Sequence, residues 1–224
     1  MTLQEMQQLC TARAASYTTI SRLVLKEPDD TLVAQLADYQ EPEYPGDLAP
    51  QFSPAKGLQL FINTQQSFGV SISNITHVLT KEFTAIFLFA GRGLKMNESA
   101  YSNRNGVDSQ EVCKHAADMY AAAGYKMSEF TGEGTDHVAI VLSFMAQLSQ
   151  RIADDIAEGD LDDARKLLDL QEQFYHAHVT WTLDFAKRLN QKAQTNFYKG
   201  VALFLTTVVT DDEKHLATLR EGLQ

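Results

Sequence analysis

The sequence predicts an all-α protein, a single compact domain of many helices spanning residues 1–224, and three observations predict it. Apolar residues recur at spacings of three and four through most of the chain, with no alternating run of strand length. Only 5 prolines and 12 glycines punctuate 224 residues, few for a fold built on tight β-turns. No repeat at solenoid spacing and no low-complexity tract divides the chain. This length supplies one substantial core. If the domain has an internal hinge, the loop near 102–109 is its place.

Each element follows from the residues in turn. From Thr2 to Lys26, one face carries Leu3, Met6, Cys10, Tyr17, Ile20 and Val24, a long amphipathic helix that Pro28 ends. A short helix near Thr31 to Tyr39 runs into E-P-E-Y-P-G-D-L-A-P, where prolines enforce a loop. Ser53 followed by Pro54 reads as a cap and first helical residue, opening a helix that buries Leu58, Phe61 and Ile62. In the next helix Ile75, Val78, Leu79, Phe83, Ile86, Phe87 and Ala90 form the apolar face. Glu82, seven residues after Ile75, shares that face. Its carboxylate either reaches water or an arginine at the rim, or is a buried acid with an assigned partner. Gly91 and Gly93 break this helix, and a polar loop follows.

Asp108 with Glu111 forms a capping box for a helix that buries Val112, Ala116, Met119 and Tyr120 and closes at Gly124. Then comes E-G-T-D-H-V-A-I-V-L-S-F-M-A-Q-L, from Glu133 to Leu148. Its front is a glycine-broken loop (Gly132, Gly134) crowding Glu133, Asp136 and His137. Its back is a helix with Val138, Val141, Leu142, Met145 and Leu148 in one stripe. Thr135 or Asp136 is placed to cap it. Gly159 and Asp160 make a tight corner between antiparallel helices. A single long helix is expected from Leu161 past His178 and Trp181 to Phe185, where His178 reads as a hydrogen-bonded core histidine. A greasy helix with Phe197, Val201, Phe204, Leu205 and Val208 follows. Thr210 with Glu213 reads as the capping box of a separate short C-terminal helix.

Composition and motif searches exclude several function classes. A formal charge of −10 leaves no basic face for phosphates, so nucleic acid is not a partner; an acidic protein instead suits a basic peptide. Cys10 and Cys113 lie far apart without a C-x-x-C pair, as expected of idle thiols in a reducing compartment. The amino terminus shows no signal-peptide pattern. The longest apolar patch, Val201 to Val209, is too short to span a bilayer, which needs about 20 apolar residues. The chain is therefore expected in the cytoplasm, without stable membrane insertion.

The six histidines offer no H-E-x-x-H, and no paired Glu-x-x-His repeat is present, so no metal and no cofactor are expected. G-R-G lacks the rest of a phosphate-binding fingerprint and follows no strand. G-x-S-x-G is absent. Glu133 with His137 is the one pair suited to acid–base work, yet no nucleophile motif points at it. Binding is favoured over catalysis.

Four stretches resemble one family. E-F-T-A-I-F-L-F-A-G (Glu82 to Gly91) is similar to an acidic-aromatic helix ending in glycine. N-E-S-A-Y (Asn97 to Tyr101) is similar to a Glu-Ser-x-Tyr loop. M-Y-A-A-A-G-Y followed by Glu-x-x-Asp-His at 133–137 and a Phe-Met helix resembles the most specific signature. H-A-H-V-T-W-T-L-D-F and F-Y-K-G-V-A-L resemble the closing helices. Together they resemble the TorD/DmsD/NarJ group of redox-enzyme maturation chaperones, with Asn97 and Thr135 standing where the family often has proline.

The resemblance implies a TorD-like all-helical cytoplasmic chaperone, not an enzyme. Such a chaperone holds the twin-arginine signal peptide, the leader, of a molybdopterin-dependent oxidoreductase's catalytic subunit, and assists cofactor insertion and folding before export. It implies a leader-binding site of Glu98, Ser99, Tyr101, Glu133, Asp136 and His137, with Glu82, His178 and Trp181 in support, in a monomer or homodimer. The alternatives are a helical scaffold or regulatory module that ignores the leader, or a small hydrolase using Glu133 and His137.

Overall fold

The computed structural model describes residues 1–50, 55–89, 91–102, 109–125 and 134–224. Ser53 and Pro54, the Asp108 half of a capping box, most of the 102–109 loop, and Glu133 lie outside the described residues. Among the described residues the structure is all-α, and the nearest approach to a strand is one isolated bridge between Asn97 and His137.

Helix α1 (Leu3–Leu25) opens on a capping box in which Thr2 accepts from the Glu5 amide and Glu5 accepts from the Thr2 amide. It packs along α7 (Val138–Glu158), the central helix. Every residue of the α7 stripe expected from the sequence is buried, and Ala139, Ile140 and Phe144 are buried beside it. A helix hidden on most sides belongs to the core. Gly159, at φ 82°, ends α7, and Asp160 caps α8 (Leu161–Phe174) by accepting from the Asp163 amide. The predicted corner is present.

The first half is carried by α2 (Asp30–Ala37), α3 (Lys56–Ser67) and α4 (Ile72–Phe83), with a 3-10 turn at Gly46–Leu48. A four-residue helix, α5 (Ser99–Ser102), precedes α6 (Ser109–Ala122), which buries the four residues expected of it. Beyond α8 lie α9 (Thr182–Lys192) and α10 (Asn196–Gly222).

Several expectations need correction, among them Leu3, which its spacing places on the apolar face of α1 and which is 46% exposed. The helix expected from Leu161 to Phe185 is two helices: a π-helical turn, Tyr175–Val179, follows α8, and α9 starts only at Thr182. The first π-helical turn of the chain, Thr84–Leu88, finishes α4 in the same way, so the turn at Tyr175–Val179 is the second. A π turn inserts an extra residue into the helical register, which apolar spacing alone does not reveal, and such turns gather at functional sites. The Thr210–Glu213 box opens nothing, because α10 runs unbroken to Gly222; burial of Val208, Val209, Asp212 and Leu216 along one helix overrides the local cap signal. Val78, placed on the apolar face from its spacing, is 50% exposed.

Candidate functional site

The site is built where two loops meet at the start of α7. Val138 donates its amide to the Met96 carbonyl at 2.7 Å, and Glu98 donates to the Asp136 carbonyl at 2.9 Å. These bonds flank the Asn97–His137 bridge and hold the loops antiparallel. Asp136 fastens them again with its side chain. Its Oδ1 accepts from Asn97 Nδ2 at 2.8 Å, and its Oδ2 accepts from the Ser99 amide at 3.0 Å. Burial by itself raises the Asp136 pKa, but the hydrogen bonds from Ser99 and Asn97 outweigh it and hold the carboxyl below its ordinary value. Gly134 leaves the room this requires, since a Cβ there would lie 3.0 Å from Asp136 Oδ1.

The cap of α7 is not Thr135 or Asp136 as expected but His137, whose Nδ1 accepts from the Ala139 amide at 3.2 Å. Thr135 is occupied elsewhere. Its hydroxyl donates to the Cys113 carbonyl and its own carbonyl accepts from the Tyr120 hydroxyl, tying the loop to α6.

Behind the clamp runs a chain of three side chains. His178, in the second π turn, places Nδ1 2.8 Å from Glu98 Oε2 and Nε2 2.8 Å from His115 Nδ1. A carboxylate only accepts, so His178 Nδ1 carries a proton, and the two imidazoles share the next one between them. Glu98 and His178 are buried, whereas His115 on α6 is exposed. Thus His178 is a hydrogen-bonded core histidine, as its position on an apolar stripe indicated. Tyr101 donates to the Lys95 carbonyl at 3.0 Å, and its ring sits 4.9 Å from that of Trp181 and 4.6 Å from the Arg188 guanidinium. Burial pushes the Tyr101 hydroxyl up to about 12.

Beside this clamp opens a cavity of about 340 Å³. Val24, Phe83 and Phe87 line it together with Met96, Asn97 and His137. Leu88 and Phe89 stand at its edge, 59% and 55% exposed. The first π turn aims these groups, and Gly93 sets the wall: Leu94 donates to the Ile86 carbonyl at 2.7 Å, and a Cβ on Gly93 would meet the Phe87 carbonyl oxygen at 2.5 Å. The arrangement presents a concavity whose apolar side chains share its surface with polar groups, suited to an extended or helical peptide that combines apolar contacts with hydrogen bonds.

The structure brings Glu98, Ser99, Tyr101, Asp136, His137, His178 and Trp181 into one neighbourhood. It does not bring Glu82 there. Glu82 is the buried acid of the two readings, and its partners are backbone amides: Oε1 accepts from Gln194 at 2.6 Å and Thr195 at 2.9 Å, at the start of α10. Sequence reasoning missed His115, Arg188 and the cavity-edge pair Leu88 and Phe89. The only available signal for the last two was an aromatic-aliphatic run continuing beyond the helical stripe into the glycines. Among the described residues, no group of three or more His, Cys, Asp or Glu side chains is placed to hold a metal ion.

Comparison with known proteins agrees with the motifs. A family model described as nitrate reductase delta subunit matches residues 60–187. Two proteins named chaperone protein TorD from Vibrio cholerae serotype O1 are 22% and 24% identical over 97% of this chain and 97% of their own lengths. A protein of the same name from Colwellia psychrerythraea is 24% identical, covering 90% of each chain. No solved structure matches.

Proposed function

We propose a function from the premise that this chain belongs to the nitrate reductase delta subunit family, the TorD/NarJ group that its motifs resemble. Its similar full-length relatives are named chaperones, so the chain is a chaperone of redox-enzyme maturation and not an enzyme. Its client is the catalytic subunit of a molybdopterin-dependent oxidoreductase, whose twin-arginine leader it holds in the cytoplasm while the cofactor is inserted. Among the described residues no helix is long and apolar enough to cross a membrane.

The observation that carries the leader reading is the cavity between the first π turn and the clamp, with exposed Leu88 and Phe89 at its edge. A leader is basic and then apolar. Its apolar stretch seats against Phe83, Phe87, Leu88 and Phe89, and its arginines face an acidic protein. Of the six motif residues assigned to the mouth, His137 lines the cavity, Glu98, Ser99, Tyr101 and Asp136 belong to the adjoining loops, and Glu133 lies outside the described residues. Among them Asp136 acts by position, because it is 2% exposed and both its oxygens already accept hydrogen bonds. His137 and Ser99 set the two loop edges, Trp181 supports Tyr101, and His178 supports Glu98.

The test is calorimetric titration of a synthetic twin-arginine leader peptide into wild type, Phe89→Asp and Asp136→Asn, with melting temperatures alongside. Phe89→Asp should lose affinity roughly tenfold or more without a change in melting, since about 1.4 kcal/mol corresponds to tenfold. A folded Phe89→Asp protein that binds the leader as wild type does would remove the leader from this cavity.

A further inference from the structure

We infer a second peptide-binding site, on the opposite side of α4 from the leader cavity, that accepts an extended segment pairing an apolar with an acidic side chain. The segment of Glu82–Leu88 faces two ways: Phe83, Phe87 and Leu88 line the leader cavity, while Glu82, Ala85 and Ile86 line another of about 460 Å³. Val78 completes its apolar wall, and Lys81 and Lys192 stand at its rim.

Three observations point to an occupant. Val78 is 50% exposed, flanked at helical spacing by buried Ile75 and Glu82 and by exposed Asn74 and Lys81, so an apolar side chain lines this concavity where a polar one is ordinary. Glu82, which lines this cavity, spends Oε1 on the Gln194 and Thr195 amides, and among the described residues its buried Oε2 has no hydrogen-bond partner. A buried carboxylate oxygen without a donor is costly, and a peptide N–H entering the cavity supplies one. Finally, two lysines frame the opening on a protein of net charge −10. One Lys192 donor is used by the Arg92 carbonyl, leaving others for an incoming carboxylate. The Glu82 carboxylate is held by the Gln194 and Thr195 amides, immediately before the 27-residue α10.

The occupant that complements these groups has a backbone N–H for Glu82 Oε2, an apolar side chain against Val78, Ala85 and Ile86, and an acidic side chain for the lysines. That is the opposite charge preference to the leader, so this site reads a different segment of a partner protein. It stands whether or not the leader reading does.

The experiment uses the full chain labelled with nitrogen-15 and two capped dodecapeptides, one of Ser, Leu and Asp and one with every Asp replaced by Lys. The acidic peptide should shift the amide resonances of residues 78–86 and 192–195 saturably, and the basic one should bind roughly tenfold or more weakly. Ala85→Trp fills the cavity and Lys81→Glu reverses the rim. Each should weaken the acidic peptide tenfold at unchanged melting temperature. Glu82→Gln keeps an oxygen for Gln194 and Thr195 while turning the orphan acceptor into a donor, and should weaken it as well. If Glu82→Gln alters melting, Ala85→Trp and Lys81→Glu decide. No saturable shift at 78–86 and 192–195, equal binding of the two peptides, or indifference to Ala85→Trp would each overturn the site.

Discussion

Asp212 and Glu98 are both buried carboxylates, and they differ in partner and in place. Asp212 sits on α10 facing α1, where Arg13 Nε reaches its Oδ1 at 2.6 Å and Arg13 Nη2 and the Tyr17 hydroxyl reach its Oδ2 at 3.0 and 2.8 Å. This clasp joins residues 199 apart in sequence and lies outside the 60–187 stretch matched by the family model. Glu98 lies inside that stretch and meets His178, which hands on to exposed His115. Guanidinium is a permanent cation with a rigid fork, whereas imidazole is charged only when protonated. One carboxylate therefore fixes the two ends of the chain together under all ordinary conditions. The other belongs to a chain of hydrogen bonds that reaches solvent beside the clamp.

The largest expected effect tests that division. Asp212→Ala leaves Arg13 as an unpaired buried charge and should cost about 3–5 kcal/mol in urea unfolding. Glu98→Gln keeps an acceptor for His178 and should cost markedly less; equal losses would erase the distinction. The acid side follows the same logic. Burial alone raises the Asp212 pKa, but Arg13, with His215 beside it, outweighs burial and holds the carboxyl at about 2, below its ordinary 3.8. A depressed folded value means stability present above about 4 and lost as pH falls towards 2. Asp212→Asn should flatten that limb of the pH–stability curve.

Asp136→Asn comes next. It keeps one acceptor oxygen for two donors, and the loss of a charge-assisted bond should cost about 1.5–3 kcal/mol in thermal or urea melts. Because Asp136 also titrates below its ordinary value, its contribution should vanish as pH falls, so wild type and variant should converge in acid. Divergence on acidification would show that the carboxylate is not what closes the clamp.

Gly93→Ala places a methyl 2.5 Å from the Phe87 carbonyl oxygen, a backbone atom that cannot swing aside. Overpacking of this kind should cost about 1–3 kcal/mol, and leader affinity should fall with it because the cavity wall moves. A Gly93→Ala protein with wild-type melting and affinity would show that the wall is pliable.

The smallest effect is expected of His115→Ala. It removes one hydrogen bond at an exposed position, worth about 0.5–1.5 kcal/mol. A larger loss would mean that the imidazole chain supports the fold as heavily as the Arg13 clasp does.

The sequence by itself determined the helices and their buried faces. The α7 stripe, the buried set on α6, the Gly159–Asp160 corner and the core setting of His178 all follow from periodicity and capping, which act within a few residues. The motif residues of the clamp were legible too, and all but Glu133 among them fall within the described residues, in one neighbourhood. Tertiary structure decided the rest. It chose His137 over Thr135 or Asp136 as the α7 cap, carried α10 through Thr210, and inserted two π turns where spacing predicted continuous helix. It gave Glu82 the amides of Gln194 and Thr195, Asp212 the guanidinium of Arg13, and Glu98 an imidazole. Periodicity names the face a side chain occupies. The partner of a buried charge is set by which distant backbone or side chain the packing brings within about 3 Å, and one chain's local pattern contains no record of that distance.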